Sequence, residues 1–323
     1  MEKLHIVFLD ADSVGHDIAW PDFAELGRVT SYGFTHPHET AARVRDAEVL
    51  MTNKVQITAA HIEGAPKLRY IGTLATGYNQ VDGEAAARRG IPVCNVPAYS
   101  TMAVAQHVFT LILALTSHIC PLSESVRAGD WAKSLHFCYW HNPIVELDAK
   151  VMGLVGFGDT GSAVGRIAHA FGMQVLVYAP RPKTAPGYTP FAFVELDELF
   201  ARSDVISLHC PLTSENRHMV NAARLALMKR DALLINTARG SLVDEQALRE
   251  ALEQGRIAGA GLDVVEEEPM PDGNPLRFAP RCLITPHVAW CSVEARTRLM
   301  QGVYDNLRNY LDGRPGHVTN MPA

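Results

Sequence analysis

The chain has 323 residues, 47% of them hydrophobic and 20% charged, and its formal net charge is −6 at pH 7. This length favours two packed domains, and the composition is that of a globular protein with a sizeable core, which excludes a disordered chain. The negative net charge and the scattered basic residues exclude nucleic acid as the main partner, because phosphate neutralisation needs clustered Lys and Arg.

Apolar runs and cysteines bear on the compartment in which the protein works. No apolar run reaches the length of about 18 residues that a membrane-spanning helix needs, so we expect no membrane partner. The six cysteines include no C-x-x-C pair, which favours reduced thiols over a disulfide framework. We therefore predict a cytoplasmic location and no metal site.

The first part of the chain alternates short apolar runs with helix-like stretches. Strands are predicted at LHIVFLD, AEVLMTN, RYIGTLATG and IPVCNVP, because each is a short apolar run bounded by turn-forming residues. The alternation predicts a small parallel α/β unit over about residues 1–98. An apolar helix is predicted next, from Thr101 to Ile119, as a domain spine or an oligomer contact.

A second α/β series follows. Strands are predicted at KVMGLVGFG, QVLVYAP, SDVISLHCP, ALLINTARG, AGAGLDVV and RCLITPHVA. Their near-continuous apolar character is typical of parallel strands covered on both faces. This pattern predicts a doubly wound parallel sheet, which binds ligands beyond the carboxyl ends of its strands. A last helix is predicted from about Ser292, and we expect it to run back toward the first domain.

A glycine pattern joins the first strand of the second series to the helix SAVGRIAHAFG. It is a G-x-G-x-x-G formed by Gly156, Gly158 and Gly161. In a dinucleotide site the first glycine permits a tight turn, the second lets the backbone approach the pyrophosphate, and the third lets the helix pack closely on the strand. The alternative is a glycine-rich turn that binds no ligand.

Polar side chains follow the later strands, at the edge where such sheets bind ligands. Arg239 follows LLINTA, Asp263 and Glu268 lie around GLDVVEEEP, and His287 follows LITP. Reduction of a 2-keto acid needs a cation for the carboxylate or carbonyl, and a proton donor for the oxygen that becomes a hydroxyl. Arg239 and His287 meet these needs, and Glu268 can orient the imidazole and favour its charged form.

Each of these residues has a structural alternative when it is considered alone. A single Arg at a strand end is more often a surface ion-pair residue, and a single His before an apolar stretch is more often structural. Their joint occurrence after a nucleotide fingerprint favours a chemical role. We interpret Glu266 and Glu267 as solvated loop acids.

The chain resembles the D-isomer-specific 2-hydroxyacid dehydrogenases over essentially its whole length. The resemblance rests on these motifs: Gly156-Phe157-Gly158-Asp159-Thr160-Gly161, Asn236-Thr237-Ala238-Arg239-Gly240, Asp263 to Pro269, and Thr285-Pro286-His287. Other segments resemble the glycerate dehydrogenase and hydroxypyruvate reductase branch: Ala75-Thr76-Gly77-Tyr78-Asn79, Tyr99-Ser100-Thr101, Ala105-Gln106-His107 and His287-Val288-Ala289-Trp290.

The resemblance implies the fold and the domain bounds. A Rossmann-type doubly wound parallel sheet domain, residues 99–291, is expected to be inserted into a smaller flavodoxin-like α/β domain. That smaller domain, residues 1–98 plus 292–323, is expected to bind the substrate.

The resemblance also implies roles for the site residues. His287, paired with Glu268, is expected to protonate the keto oxygen as hydride from the reduced nicotinamide reaches C2, and Arg239 to bind the substrate carboxylate. The other expected substrate contacts are Ala75, Thr76, Gly77 and Trp290. Asp263 is expected to hold the nicotinamide carboxamide. The other expected cofactor contacts are Thr101, Gly156, Gly158, Asp159, Thr160, Gly161, Ala179, Arg181, His209, Cys210, Pro211, Thr237, Ala238 and Ala289.

Cofactor choice depends on the end of the second Rossmann strand, about 18 to 20 residues after Gly161. NAD-using relatives usually carry an acid there, which binds the adenosine ribose and repels a 2′-phosphate. Here Ala179 takes that place, and Arg181 and Lys183 follow. We predict NAD(P)H as cofactor, with a preference for NADP. The alternative is that both cations are solvated and discrimination is weak.

A homodimer is predicted from the Thr101 to Ile119 helix and the run Phe137-Cys138-Tyr139-Trp140, which offer more apolar surface than a monomer usually exposes. The alternative places these residues in an interdomain core. Other functions also remain open on the same fold: a nucleotide-sensing co-regulator, a dehydrogenase for another 2-hydroxy acid such as D-lactate, and formate or phosphite oxidation. Formate-oxidising relatives place Gln where Glu268 stands.

Overall fold

The computed structural model describes residues 4–321. Residues 1–3 and 322–323, which the predicted substrate domain includes, lie outside the described residues. The chain divides into two compact units. One contains the residues up to Ser100 together with those from Cys291 onward, and the other is Thr101–Trp290.

Strands and helices alternate along most of the chain. Up to Ser100 they are β1 (His5–Phe8), β2 (Arg28–Ser31), α1 (Pro37–Val44), β3 (Val49–Thr52), α2 (Ala59–Glu63), β4 (Tyr70–Thr73), α3 (Gly83–Arg88) and β5 (Val93–Cys94). From Thr101 to Trp290 they are α4 (Thr101–Ser117), α5 (Ile119–Arg127), α6 (Asp130–Lys133), β6 (Val151–Val155), α7 (Asp159–Ala170), β7 (Gln174–Tyr178), β8 (Phe191–Phe193), α8 (Leu196–Arg202), β9 (Val205–Leu208), α9 (Ala222–Leu227), β10 (Leu233–Asn236), α10 (Glu245–Glu253), β11 (Gly259–Leu262) and β12 (Cys282–Ile284). The last helix is α11 (Val293–Leu311).

The first unit is built on a five-stranded parallel sheet in the order β2-β1-β3-β4-β5. Its central strands β3 and β4 are buried at every residue, which explains their unbroken apolar character. Leu50 of β3 lies beside Ile71 of β4, and both are fully buried. This strand order is the flavodoxin-like one.

Helix α11 belongs to this first unit, and an ion pair fixes its beginning. Arg296 is 9% exposed. Its guanidinium donates to Val14 O at 2.8 Å and to both carboxylate oxygens of Asp17. These hydrogen bonds lower the pKa of Asp17 to about 2. The first turn of α11 is therefore bonded to the loop that follows β1.

The second unit contains a seven-stranded parallel sheet in the order β12-β11-β10-β9-β6-β7-β8. The chain starts at β6, moves outward through β7 to β8, and then crosses to β9 and proceeds in the opposite direction. The strand order reverses between β6 and β9, and ligands of doubly wound sheets bind at that switch point. The predicted fold class is therefore confirmed.

The apolar helix predicted from Thr101 to Ile119 ends earlier, at Ser117. His118 has φ +51°, a left-handed conformation that a helix cannot continue through. Within residues 4–321, no single helix is long and apolar enough to cross a membrane. Among the helices of the described residues, only α4 and α5 together meet that criterion, by length and composition, and they are bent by 57°.

Candidate active site

Three neighbouring strands carry the predicted catalytic residues to one edge of the second sheet. Asn236 of β10 pairs with Leu262 of β11, which pairs with Ile284 of β12. The segments that contain Arg239, Glu268 and His287 start from this common row. Residues far apart in sequence therefore lie at the carboxyl edge, where the switch-point rule places a ligand.

His287 and Glu268 form a hydrogen-bonded pair. Nδ1 of His287 lies 2.5 Å from Oε2 of Glu268. A carboxylate only accepts, so the proton of this bond is on Nδ1, and Nε2 is the ring atom left to exchange a proton. Val265 N–H donates to the other carboxylate oxygen, Oε1, at 3.1 Å. Both side chains are about one-third exposed, 30% and 34%, so a small molecule can reach them.

The backbone of His287 adopts a left-handed conformation, with φ +56°. This region is costly for a residue other than glycine and persists only where neighbouring contacts hold it. The amide of His287 donates to Asp263 O at 2.9 Å, and its carbonyl accepts from the indole N–H of Trp290 at 2.9 Å. These hydrogen bonds hold the backbone of the turn, and the backbone in turn determines the direction in which the imidazole points.

The buried carboxylate of Asp263 accepts hydrogen bonds from residues on both sides of His287. Its side chain is 1% exposed. Oδ1 accepts from Thr285 Oγ1 at 2.6 Å and from Val288 N–H at 2.9 Å, and Oδ2 accepts from Ala289 N–H at 2.8 Å. A carboxylate has about four acceptor sites, and these three hydrogen bonds satisfy three of them inside the unit.

Arg239 lies on a loop that a buried amide shapes. Asn236 accepts from Ala238 N–H at 3.0 Å and donates to Arg239 O at 2.8 Å. The next residue, Gly240, permits a close approach, because a Cβ there would lie 1.9 Å from the carbonyl carbon of Val265. The Arg239 loop can thus contact the loop that carries Glu268.

The interpretation of Glu266 as a solvated loop acid is wrong. Its carboxylate pairs with Arg217 and lies 3.1 Å from Nε2 of His218. Its amide donates to Oε1 of the buried Glu245 at 2.7 Å. These bonds brace the loop that carries Glu268. Glu267 is exposed, as expected for a solvated acid.

The glycine fingerprint forms the turn from β6 into α7. Gly156 has φ +101°, and a Cβ there would lie 2.6 Å from His209 O. A Cβ on Gly161 would lie 2.3 Å from Gly156 O, so only glycine allows this helix to begin so close to the strand. Gly158 faces open space. The turn therefore leaves its backbone and the first turn of α7 accessible to an anion.

A cavity of about 560 Å³ adjoins this turn. Eight residues singled out in the sequence line it: Gly156, Gly158, Ala179, Arg181, Lys183, His209, Cys210 and Pro211. The imidazole Nε2 of His209 is covered and has no hydrogen-bond partner within residues 4–321. Burial lowers the pKa of His209 to about 4, so the ring is neutral near pH 7.

Comparison with known proteins identifies the family. Residues 109–289 match the family described as D-isomer specific 2-hydroxyacid dehydrogenase, NAD binding domain. The chain belongs to this family. It is therefore an oxidoreductase that uses a nicotinamide cofactor, and both the family and the enzyme class predicted from the sequence are confirmed.

Individual members agree with this assignment. A hydroxypyruvate reductase from Blautia hydrogenotrophica is 41% identical over 321 residues, covering 98% of this chain and 100% of the relative. A glycerate dehydrogenase from Methylorubrum extorquens is 41% identical over 315 residues, covering 97% of this chain and 98% of the relative. The structure of an acyclic imino acid reductase in complex with NADPH and D-Arg matches with a TM-score of 0.86 at 32% identity, covering 98% of this chain and 100% of that chain.

The dehydrogenase's second unit fits a dinucleotide. The open space at Gly158, the adjoining cavity and the unpartnered Nε2 of His209 are features that such a ligand can use. The hydroxyl of Thr237, another predicted cofactor contact, is also buried and unpartnered within the described residues. Thr237 does not line the cavity, and neither do the remaining predicted cofactor contacts. They are Thr101, Asp159, Thr160, Gly161, Ala238, Asp263 and Ala289.

Sequence reasoning missed part of the cavity wall. Thr213, Glu215, Asn216 and Arg224 also line it. The first three follow β9 at the switch point, so the strand order could have indicated them, whereas Arg224 of α9 carries no local signal.

The predicted substrate contacts Ala75, Thr76 and Gly77 follow β4 in the first unit. There Thr76 Oγ1 donates to Val96 O at 2.9 Å, and Thr76 O accepts from Asn95 at 2.7 Å. These bonds give the segment a defined conformation.

Proposed function

We propose that this dehydrogenase interconverts a small 2-keto acid of the hydroxypyruvate or glyoxylate type and its D-2-hydroxy acid. The observation that carries the proposal is the 2.5 Å pair of His287 Nδ1 and Glu268 Oε2 at the sheet edge that also holds Arg239. This set provides a proton donor, an anion that stabilises its charged form, and a cation for a carboxylate. The names of the two relatives at 41% identity support the substrate class.

In the reduction, Nε2 of His287 gives its proton to the keto oxygen as that oxygen becomes a hydroxyl. Glu268 keeps the Nδ1 proton in place and stabilises the imidazolium before the transfer. In the oxidation, the neutral ring takes the hydroxyl proton at the same atom. The bound nicotinamide supplies or accepts the hydride at C2. Arg239 binds the substrate carboxylate and polarises the carbonyl.

The remaining substrate contacts are proposed for backbone N–H groups of Ala75, Thr76 and Gly77 and for Trp290. The indole N–H of Trp290 is already donated to His287 O, so its contribution is the apolar ring. The domain of residues 1–98 plus 292–323 is proposed to bind the substrate, and residues 99–291 the cofactor.

We propose NADPH as the preferred reduced cofactor. Arg181, Lys183 and Arg224 line the cavity next to Ala179, and no acid stands at that position. A guanidinium can bind a 2′-phosphate through two charge-assisted hydrogen bonds. Arg224 already pairs with Asp197 at 3.0 Å, so Arg181 is the better candidate. The imino acid reductase at 32% identity was solved with NADPH, which supports this choice.

We also propose a homodimer. In the segment that follows α5, Leu135 is 98% exposed, Phe137 92%, Trp140 62% and Trp131 50%. Apolar side chains so fully exposed within one segment favour a partner surface. Most soluble oligomers are homo-oligomers, so a second copy of the chain is the proposed partner. The cytoplasmic location stays a prediction.

The substrate proposal is tested by mixing the protein with NADPH or NADH and a panel of glyoxylate, hydroxypyruvate and pyruvate. The loss of reduced-cofactor absorbance gives the rates, and chiral chromatography gives the product configuration. We expect turnover of hydroxypyruvate or glyoxylate, with D-glycerate formed from hydroxypyruvate. Absence of turnover with all of them, or an L product, would contradict the proposal.

A further inference from the structure

His107 lies on α4 and contacts Thr285, which is 178 positions later in the chain. Its Nε2 is 2.9 Å from the hydroxyl oxygen of Thr285 and 3.6 Å from Oδ1 of Asp263. The side chain is 18% exposed. It is a half-buried polar group next to the catalytic turn, and the mechanism above gives it no part.

The donors and acceptors of this cluster have one consistent arrangement. The Asp263 carboxylate only accepts, so the hydroxyl proton of Thr285 points to Oδ1, 2.6 Å away. The Thr285 oxygen must then accept from His107. The only donor on that side of the ring is an N–H at Nε2, so the bond also fixes the tautomer of His107.

The chain of bonds ends at the backbone of His287. Asp263 accepts from the amides of Val288 and Ala289 through its carboxylate, and from the amide of His287 through its carbonyl. These bonds hold the left-handed backbone of His287. A buried carboxylate needs such donors to remain in place, and His107 completes the set through Thr285.

We propose that His107 is a positioning residue, which holds the turn of His287 in its reactive geometry through Thr285 and Asp263. It does not touch the reacting atoms. The role in turnover rests on the proposed function, whereas the role in holding the turn does not.

Two substitutions of His107 separate the loss of its Nε2 hydrogen bond from a general effect on folding. In His107→Gln the amide nitrogen can take the place of Nε2, whereas in His107→Asn the shorter side chain reaches only as far as Nδ1 does. Both variants are polar and of related size, so a general effect on folding affects them alike. We expect His107→Asn to lower kcat about tenfold, as the loss of about 1.4 kcal/mol implies, with little change in KM. His107→Gln should retain kcat within about threefold.

Thr285 gives an independent arm. Thr285→Val removes the hydroxyl and should also lower kcat about tenfold, whereas Thr285→Ser keeps the bond. Because His107 acts through Thr285, His107→Asn combined with Thr285→Val should be no worse than either alone. Multiplied effects of about a hundredfold, or equal kcat values for the Asn and Gln variants of His107, would overturn the proposal.

Hydrogen exchange makes the test independent of substrate. In the cofactor-free protein, the amides of residues 287–289 should exchange faster in His107→Asn than in wild type and in His107→Gln, with the exchange of β6 unchanged. Unchanged exchange at 287–289 would also overturn the proposal. If the wild type turns over no keto acid but this exchange pattern holds, the proposed function fails and the positioning role stands.

Discussion

The imidazole Nδ1 of His287 and the carboxylate Oε2 of Glu268 are 2.5 Å apart, although 19 positions separate the two residues in the chain. The bond leaves Nε2 free to carry the transferred proton. It also places a carboxylate against the ring, which fixes the tautomer and the orientation of the imidazole.

Glu268→Gln keeps a hydrogen-bond acceptor at this place and removes the charge. The ring then loses the charged partner that holds its Nδ1 proton. We expect kcat for keto-acid reduction to fall about tenfold or more, because a hydrogen bond to a charged group contributes about 1.5–3 kcal/mol. Glu267→Gln is the matched control, because Glu267 is an exposed acid of the same loop. An unchanged kcat in Glu268→Gln would reject the pairing.

Arg181→Ala tests the source of cofactor preference. We expect KM for NADPH to rise about tenfold or more, with KM for NADH almost unchanged, because only NADPH carries the phosphate that the guanidinium binds. Arg230→Ala removes an exposed arginine that does not line the cavity and should change neither value. A wild-type enzyme that strongly prefers NADH would refute the preference itself.

His209 makes the stability of the folded protein depend on pH. Its pKa in the folded chain is about 4, below the ordinary value of 6.5. The contribution of the neutral ring to the free energy of unfolding is therefore fully present above about pH 6.5. It is lost as pH falls toward 4, because the unfolded chain binds the proton first. The loss of unfolding free energy over this pH range is on the order of 3 kcal/mol.

Urea unfolding of the cofactor-free protein at pH 7.5 and at pH 5 measures this contribution. We expect His209→Gln, which does not titrate, to lose less stability than wild type between the two pH values. Equal losses would show that the Nε2 atom of His209 is protonated without cost.

Local sequence patterns predicted the strands that are buried on both faces and also the half-buried edge strand β12, and they missed two strands with more exposed side chains. The strands β2 (Arg28–Ser31) and β8 (Phe191–Phe193) are edge strands of three or four residues with mostly exposed or half-exposed side chains. They are recognisable mainly by their pairing with β1 and β7. The predicted unit boundaries, 98/99 and 291/292, compare with 100/101 and 290/291 in the structure.

In the candidate active site, too, local patterns indicated some residues and missed others. Motifs at strand ends indicated His287 and Glu268, because each lies a few residues beyond an apolar run. The contact of Glu266 with Arg217 spans 49 positions, and that of His107 with Thr285 spans 178. Such contacts depend on how helices and loops pack, and no local periodicity records them.

Phe137→Asp tests the proposed homodimer, because a carboxylate cannot be buried without a partner in an apolar interface. Light scattering at micromolar concentration should give a dimer for wild type and a monomer for the variant. Phe278→Asp, at another site that is 86% exposed, should remain dimeric. A monomeric wild type would refute the dimer.

Proton transfer by His287 is the central claim, and the turnover of His287→Ala tests it most directly. The measurement is kcat for hydroxypyruvate or glyoxylate, together with NADPH affinity by fluorescence titration and with His141→Ala as the control for loss of an exposed histidine. We predict that His287→Ala loses about 10²- to 10⁴-fold in kcat and keeps its NADPH affinity. Near wild-type turnover by this variant would contradict the mechanism.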